Sequence, residues 1–151
     1  MIELFFCIGL CIIISAFVYF FCKTSTGNPK IDELRKILAP LFSTKKVFSK
    51  KLDYLNHHDI LKEVGIYPDS QSYTINKKNI YLCLFDENGN YYPNKMLLFV
   101  LLHEISHIIC QSYGHTNEFQ EIFDQLLLEA SKEKIFDPSY KIINNYCPAN
   151  V

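Results

Sequence analysis

Two histidines and a glutamate stand close together in an otherwise apolar stretch, in the order His103-Glu104-Ile105-Ser106-His107. In a helix, positions i and i+4 share a face, so the two imidazoles can bind one metal ion. Glu104 lies about 100° round the helix from His103, and its side chain can reach a water that the metal activates. This HExxH spacing predicts a Zn²⁺ site in which Glu104 takes a proton from water and returns it to a leaving amine.

A catalytic zinc site needs a third protein ligand. His115 follows His107 by eight residues and comes directly after Gly114. Because glycine lets the backbone fold back, His115 is the preferred candidate. A glutamate on the following helix is the other common third ligand. The alternatives are therefore Glu118, Glu121 and Glu129, of which Glu129 is far enough along to return over the site.

Other polar side chains are weaker candidates for chemistry. A hydroxyl that stabilises an oxyanion could come from Tyr113, Tyr140 or Tyr146, but each is expected to be a half-buried packing ring. The adjacent His57 and His58 are expected to be a surface or helix-end pair.

Helices and strands must both contribute to positioning these groups. The motif is predicted on a helix that starts after Pro93-Asn94, and Thr116 or Asn117 should cap a last amphipathic helix that contains Phe119. The strand Ile80–Phe85 is apolar almost throughout, so it is expected in the core, although it could instead hold a substrate peptide by strand addition. The predicted elements are helices at Pro29–Leu38, Val47–Val64 (in two pieces, stopped by Gly65) and Lys95–Tyr113, the last helix from Asn117, and strands at Ser72–Ile75 and Ile80–Phe85.

Composition limits the partners. The chain has 151 residues, is 49% hydrophobic and carries a net charge of −1, so one domain is expected, and a disordered tail or a low-complexity fibre is excluded. Arg35 is the single arginine, and arginine is the residue that most often reads bases and grips phosphates. No nucleic-acid partner is expected.

The N-terminus predicts a membrane anchor. The 19 residues from Leu4 to Cys22 carry no charge, and a helix of that length spans about 28 Å, close to the hydrocarbon thickness of a bilayer. A cleaved signal peptide and a buried helix are the alternatives, but no basic leader or small-residue cleavage site is evident. The predicted organisation is a transmembrane anchor at 1–23, a linker at 24–30 and a domain at 31–151.

Charge and cysteine usage indicate the side of the membrane. Between Lys30 and Lys51 there are seven basic and two acidic residues, which favours a domain that faces the cytosol. This basic stretch is either a solvated face or a contact for anionic lipid headgroups. Outside the anchor, three cysteines remain and cannot all pair within the chain, so they are expected to be reduced and mostly buried. These three are Cys83, Cys110 and Cys147.

Residues 73 to 148 resemble the core of the WLM/SprT-like zincin metallopeptidases, and most of all the small membrane-anchored members inferred in large DNA viruses. The resemblance rests on a strand, a turn and the HExxH helix, followed by Gly114-His115, Phe119 and Tyr146-Cys147. It implies a zincin fold, in which a small sheet with a substrate-binding edge packs on the HExxH helix. It also implies His103, His107 and His115 as zinc ligands. The family usually has a shorter interval between its second and third histidines than the eight residues found here.

The sequence therefore predicts an α+β domain behind a membrane anchor. The leading hypothesis is a zinc-dependent metallopeptidase that cleaves a protein or peptide substrate near the membrane. One alternative is a catalytically silent zincin-fold protein with a structural role in a membrane or virion, in which Glu104 would have no use as a base. Another is a metal-dependent hydrolase that acts on something other than peptides.

Overall fold

The computed structural model describes residues 27–43, 46–144 and 146–147. Within them the chain is α+β, as predicted. No helix in these three ranges is long and apolar enough to cross a bilayer, and the predicted anchor Leu4–Cys22 lies outside them. The elements in chain order are α1 (Pro29–Leu38), a 3₁₀-helix (Lys50–Leu52), α2 (Tyr54–His57), α3 (Ile60–Glu63), β1 (Gly65–Asp69), β2 (Tyr73–Ile75), β3 (Asn79–Cys83), α4 (Asn94–Ile109) and α5 (Asn117–Lys132).

Helix α4 is the centre of the core. It is apolar on nearly all sides, and eleven of its sixteen residues are buried, which is typical of a helix packed between two layers. It follows Pro93 as predicted but ends at Ile109, four residues before the predicted end at Tyr113, because Cys110 is extended (φ −64°, ψ 132°). The next carbonyls, of Cys110 and Gln111, accept hydrogen bonds from the Lys77 amine instead of continuing the helix.

Helix α5 packs along α4 through the apolar stripe that its sequence predicts. Thr116, one of the two predicted caps, accepts a 3.3 Å hydrogen bond from the backbone N–H of Phe119, which satisfies one of the free donors of the first turn. The buried residues of the stripe are Phe119, Ile122, Phe123, Leu126 and Ala130.

A three-stranded mixed sheet covers the other side of α4, in the order β1-β3-β2. Strand β1 pairs in parallel with β3, and β2 pairs with it antiparallel. Ile80 and Leu82 of β3 are fully buried, which agrees with the predicted core role. Because β3 is the central strand, the suggestion that it could receive a substrate peptide is wrong, and β2 is the edge strand beside α4.

The segment from Val47 to Gly65 departs most from its predicted structure. It forms three short pieces rather than two, and Gly65, predicted as a helix stop, begins the unpredicted strand β1. Arg35 of α1 explains part of this arrangement, since its guanidinium donates to the carbonyls of Leu61 and Val64, the second at 2.8 Å. These contacts tie the last turn before β1 to α1.

Part of the basic stretch takes part in contacts within the domain. Arg35 is half-buried, and three lysines form ion pairs. The pairs are Lys30 with Glu33, Lys46 with Glu129 and Glu133, and Lys51 with Glu121. Such pairs favour the solvated-face interpretation over a patch reserved for lipid headgroups.

The expectation of three reduced cysteines is wrong for two of them. Cys83 and Cys147 form a disulfide between β3 and the C-terminal segment, with a Cα–Cα distance of 6.3 Å. The two residues are 64 positions apart, and pairing at that range is a product of the tertiary fold. Cys110 is free and buried, as predicted.

Candidate metal centre

The three histidines named from the sequence meet at one place. His103 and His107 lie one turn apart on α4, and the loop after α4 returns His115 to them. One ring nitrogen from each lies within 4.8 Å of the others, and the Nε2 atoms of His115 and His103 are 2.9 Å apart. Gly114 permits this return because it has a φ of +78°, a conformation that favours glycine.

Three imidazole nitrogens are a donor set that could hold a metal ion. Nitrogens at the usual Zn–N length on a tetrahedron are about 3.3 Å apart, and the Nε2 atoms of His103 and His115 are 2.9 Å apart. Burial, together with the nearby His107 and His115, lowers the pKa of His103 to about 4. Burial, followed by His115 and Lys77, also lowers the pKa of His107. At neutral pH both rings are therefore unprotonated, which is the form that binds a metal.

Phe119 of α5 forms the wall against which the three imidazoles rest. Its ring stacks on His107 with centroids 4.3 Å apart and an interplanar angle of 28°. It meets His103 and His115 edge-on at 4.9 Å and 4.8 Å. Because Phe119 is 1% exposed, this wall is fixed by the core, and it restricts the orientation of every ring in the cluster.

Glu104 is held beside the cluster by strand β2. Its side chain is buried, and burial raises its pKa, while a hydrogen bond from Thr74 acts in the opposite direction. The Thr74 hydroxyl lies 2.8 Å from Oε2 of Glu104 and 3.1 Å from its backbone carbonyl oxygen. A raised pKa makes this carboxylate a better proton acceptor than that of an exposed glutamate.

A cleft of about 410 Å³ gives access to these groups. One side is β2 and the turn after it, including Tyr73, Thr74 and Lys77, and the other is α4 with the loop 112–115. Lys77 fixes the rim, because its amine donates to the carbonyls of Cys110 and Gln111, the second at 2.7 Å. The cleft therefore places solvent, the histidines and Glu104 next to one another.

The alternative third ligands lie elsewhere and have other partners. The Glu118 carboxylate accepts hydrogen bonds from Gln111 and Ser112. Glu121 pairs with Lys51, and Glu129 pairs with Lys46 and Lys132. Among residues 27–43, 46–144 and 146–147, the group that could hold a metal ion consists of histidines alone.

The three candidate tyrosines have different surroundings. Tyr113 is 86% exposed at the cleft rim, and Tyr140 lies under the Lys95 amine at 5.7 Å. Tyr146 is half-buried, with its hydroxyl 3.0 Å from Ser72 Oγ and donating to the carbonyl of Cys83. Burial, with smaller contributions from Tyr92 and the Glu104 carboxylate, raises the pKa of Tyr146 to about 12 despite the hydrogen bond with Ser72. Tyr146 thus lies close to the site, but its hydroxyl already forms hydrogen bonds with other groups.

His57 and His58 are a surface pair, as predicted. They lie next to Asp53 at 3.5 Å and Glu63 at 2.8 Å, respectively, and both are exposed. They take no part in the histidine cluster.

Sequence reasoning assigned no site role to Thr74, Lys77 or Phe119. Thr74 is a polar residue at an inward-facing strand position, which is a usable signal for a buried hydrogen bond. Phe119 belongs to the apolar stripe of α5, and its place in that stripe gives no sign of its contacts with the histidines. Lys77 lies in a turn and gives no sign in the sequence of its contact with the end of α4.

Proteins of large DNA viruses are similar to this chain. Uncharacterized protein 136R of Invertebrate iridescent virus 6 is 40% identical over 126 residues, which cover 82% of this chain and 70% of that protein. Uncharacterized protein 042R of Invertebrate iridescent virus 3 is 40% identical over 97 residues, covering 64% of this chain and 61% of that protein. Uncharacterized protein R325 of Acanthamoeba polyphaga mimivirus is 34% identical over 70 residues, covering 42% and 36%.

These similarities support the viral part of the resemblance and give no support for the WLM/SprT-like part. No protein-family model matches the chain, and no solved structure matches it. The match to 136R covers most of both chains at 40% identity. The chain therefore belongs to a family of large-DNA-virus proteins that includes protein 136R of Invertebrate iridescent virus 6.

Proposed function

We propose that this protein is a zinc-dependent peptidase of the zincin type, related to the WLM/SprT-like group. His103, His107 and His115 are the metal ligands, and Glu104 is the general base. One juxtaposition carries the proposal: three histidine nitrogens within 4.8 Å of one another share a cleft with a buried carboxylate from the same turn of α4. A purely structural metal site has no use for that carboxylate.

The chain's own groups supply the proton transfers. Zinc, when bound, supplies a Lewis acid that makes water a better nucleophile near neutral pH. Glu104 takes a proton from the attacking water as the water oxygen bonds to the carbonyl carbon of the peptide. It then delivers that proton to the nitrogen of the leaving amine as the C–N bond breaks. The raised pKa of Glu104 suits both steps.

The cleft suits an extended peptide. Strand β2 is an edge strand that pairs on one side with β3, and its residues Tyr73 and Thr74 line the cleft. A peptide that adds to the free edge of β2 would gain main-chain hydrogen bonds. Its backbone would then pass next to Glu104 and the histidines.

The test measures zinc content and peptide cleavage on the full chain in detergent micelles. The variants are Glu104→Gln, His115→Ala and Glu129→Gln, with His57→Ala as the matched control, since His57 is an exposed histidine outside the cluster. Zinc is measured by elemental analysis, and cleavage with a library of fluorescence-quenched peptides.

We expect about one zinc per chain in the wild type, as in other three-ligand catalytic sites. His115→Ala should lose the zinc, while Glu104→Gln, Glu129→Gln and His57→Ala should keep it. Glu104→Gln should lose cleavage by at least about a hundredfold, which is the usual contribution of general-base catalysis. A zinc-loaded wild type that cleaves no peptide would instead favour the catalytically silent structural protein, and a folded wild type without metal would refute both.

We further propose that residues 4–22 anchor the protein in a host or virion membrane. The lysine-rich flank favours a cytosolic domain, whereas the Cys83–Cys147 disulfide favours an oxidising compartment. Carbonate extraction of infected-cell membranes tests the anchor. Release of the protein by carbonate would refute this proposal. Protease protection on sealed vesicles then identifies the side on which the domain lies.

A further inference from the structure

Thr74 is placed between the sheet and the motif helix. It is the middle residue of β2, paired with Ile80 of β3. Tyr73 and Ile75 point to the opposite face of the sheet, because successive side chains in a strand alternate. The Thr74 side chain faces α4, where its hydroxyl contacts Glu104.

Both acceptors of that hydroxyl belong to one residue. Thr74 Oγ1 lies 2.8 Å from Glu104 Oε2 and 3.1 Å from the Glu104 carbonyl oxygen. A free glutamate side chain has three rotatable bonds, and these two contacts fix its carboxylate relative to its own backbone. Glu104 is 5% exposed, so a carboxylate that lost this donor would be poorly solvated.

The strand that carries Thr74 is short, but it is held at both ends. At one end, Ser72 Oγ accepts a 2.9 Å hydrogen bond from the N–H of Cys83 and meets the Tyr146 hydroxyl at 3.0 Å. At the other end, the Lys77 amine is bound to the carbonyls that follow α4. The position of the Thr74 hydroxyl is thus set by tertiary contacts rather than by the strand alone.

We propose that Thr74 is a positioning residue, whose hydroxyl holds the Glu104 carboxylate toward the histidine cluster. The inference rests on the proposed function and adds the residue that orients its base. A β-branched side chain suits this role, because its χ1 angle is stiff. Correct orientation of a base is a large part of its catalytic effect.

The kinetic test compares Thr74→Val, which removes the hydroxyl at nearly constant shape, with Thr74→Ser, which keeps it. Asn56→Ala is the control, because it removes two hydrogen bonds to the Phe48 backbone away from the cleft. All variants are full chains in detergent, and zinc content is measured for each.

We expect Thr74→Val to lower kcat by about 10- to 100-fold, the usual effect of removing a group that orients a reacting side chain. KM and zinc content should stay near the wild-type values, and both Thr74→Ser and Asn56→Ala should retain most of kcat. The proposal is overturned if Thr74→Val keeps half of the wild-type kcat, if Thr74→Ser loses as much, or if the loss is confined to KM.

A second measurement does not depend on activity. In a double-mutant cycle, Thr74→Val is made in the wild type and in Glu104→Leu, and the thermal midpoint of the metal-free chain is recorded. The shift caused by Thr74→Val should at least halve in the Glu104→Leu background. Equal shifts would show that the hydroxyl does not hold Glu104. If the wild type cleaves no peptide, the proposed function fails, and this cycle still decides whether Thr74 holds the carboxylate.

Discussion

Loss of the Cys83–Cys147 disulfide should strongly destabilise the domain. The bond joins residues 64 positions apart, and closing a loop of that length in the unfolded chain stabilises the folded state by about 4 kcal/mol. For a domain of this size, that corresponds to a fall of about 15 °C in the melting temperature. Cys147→Ser, or reduction of the wild type, should therefore give a similar large decrease.

The assay is thermal unfolding of the full chain in detergent, followed by circular dichroism with and without dithiothreitol. A chelator is present throughout, so that loss of zinc does not add to the effect. Cys110→Ala is the matched control, because Cys110 is free and buried. This variant should keep the full response to reductant, whereas Cys147→Ser should show none.

Two results would refute the reasoning. One is a Cys147→Ser variant within about 1 kcal/mol of the wild type, which would mean that the loop-closure effect is absent. The other is mass spectrometry of the alkylated, unreduced protein that finds Cys83 and Cys147 in separate peptides.

Three further perturbations test the protonation and packing of the histidine cluster and the backbone contacts of Arg35. His103 has a pKa lowered to about 4, so between pH 4 and 6.5 its unfolded form binds a proton that the folded form does not. The metal-free protein should lose about 1–2 kcal/mol as the pH falls through this range, allowing for partial exposure. In melts at pH 7.5 and 5, His103→Gln should reduce that loss and His57→Ala should not. Phe119→Leu should weaken zinc binding by about tenfold, since the imidazoles lose their wall; a competition titration with a chromophoric chelator would show an unchanged affinity if the wall is unimportant. Arg35→Met should lower the free energy of unfolding, measured in urea, by about 2 kcal/mol, because two carbonyls lose a charged donor. A decrease below about 0.5 kcal/mol would mean that water replaces the guanidinium at those carbonyls.

The grouping of the histidines could be predicted because most of it is local. His103, Glu104 and His107 belong to one helix, so the helical period alone orients them. His115 required only a turn at Gly114, and the positive φ of that residue provides it. The alternatives on α5 could not be excluded from sequence. Glu121 and Glu129 pair with the distant Lys51 and Lys46, and the Glu118 contacts depend on the path of the loop after α4.

The parts that were missed depend on contacts distant in sequence. Strand β1 contains Gly65 and Pro68, which weaken any strand pattern, and it forms by parallel pairing with β3. The early end of α4 depends on Lys77, which is 33 residues from Cys110. The Cys83–Cys147 pairing likewise has no local signal, since connectivity cannot be deduced from cysteine positions.

The strand order has a consequence for how the domain assembles. Strand β3 is the last of the three strands to be synthesised but lies in the middle of the sheet. Strands β1 and β2 therefore leave the ribosome before their partner does. The contact between β2 and β3 spans a short turn, through Asn76 and Lys77, both with positive φ. This hairpin can close quickly, whereas β1 must wait for a longer loop. The half of the sheet beside the cleft should therefore form before the half that covers the rest of the core.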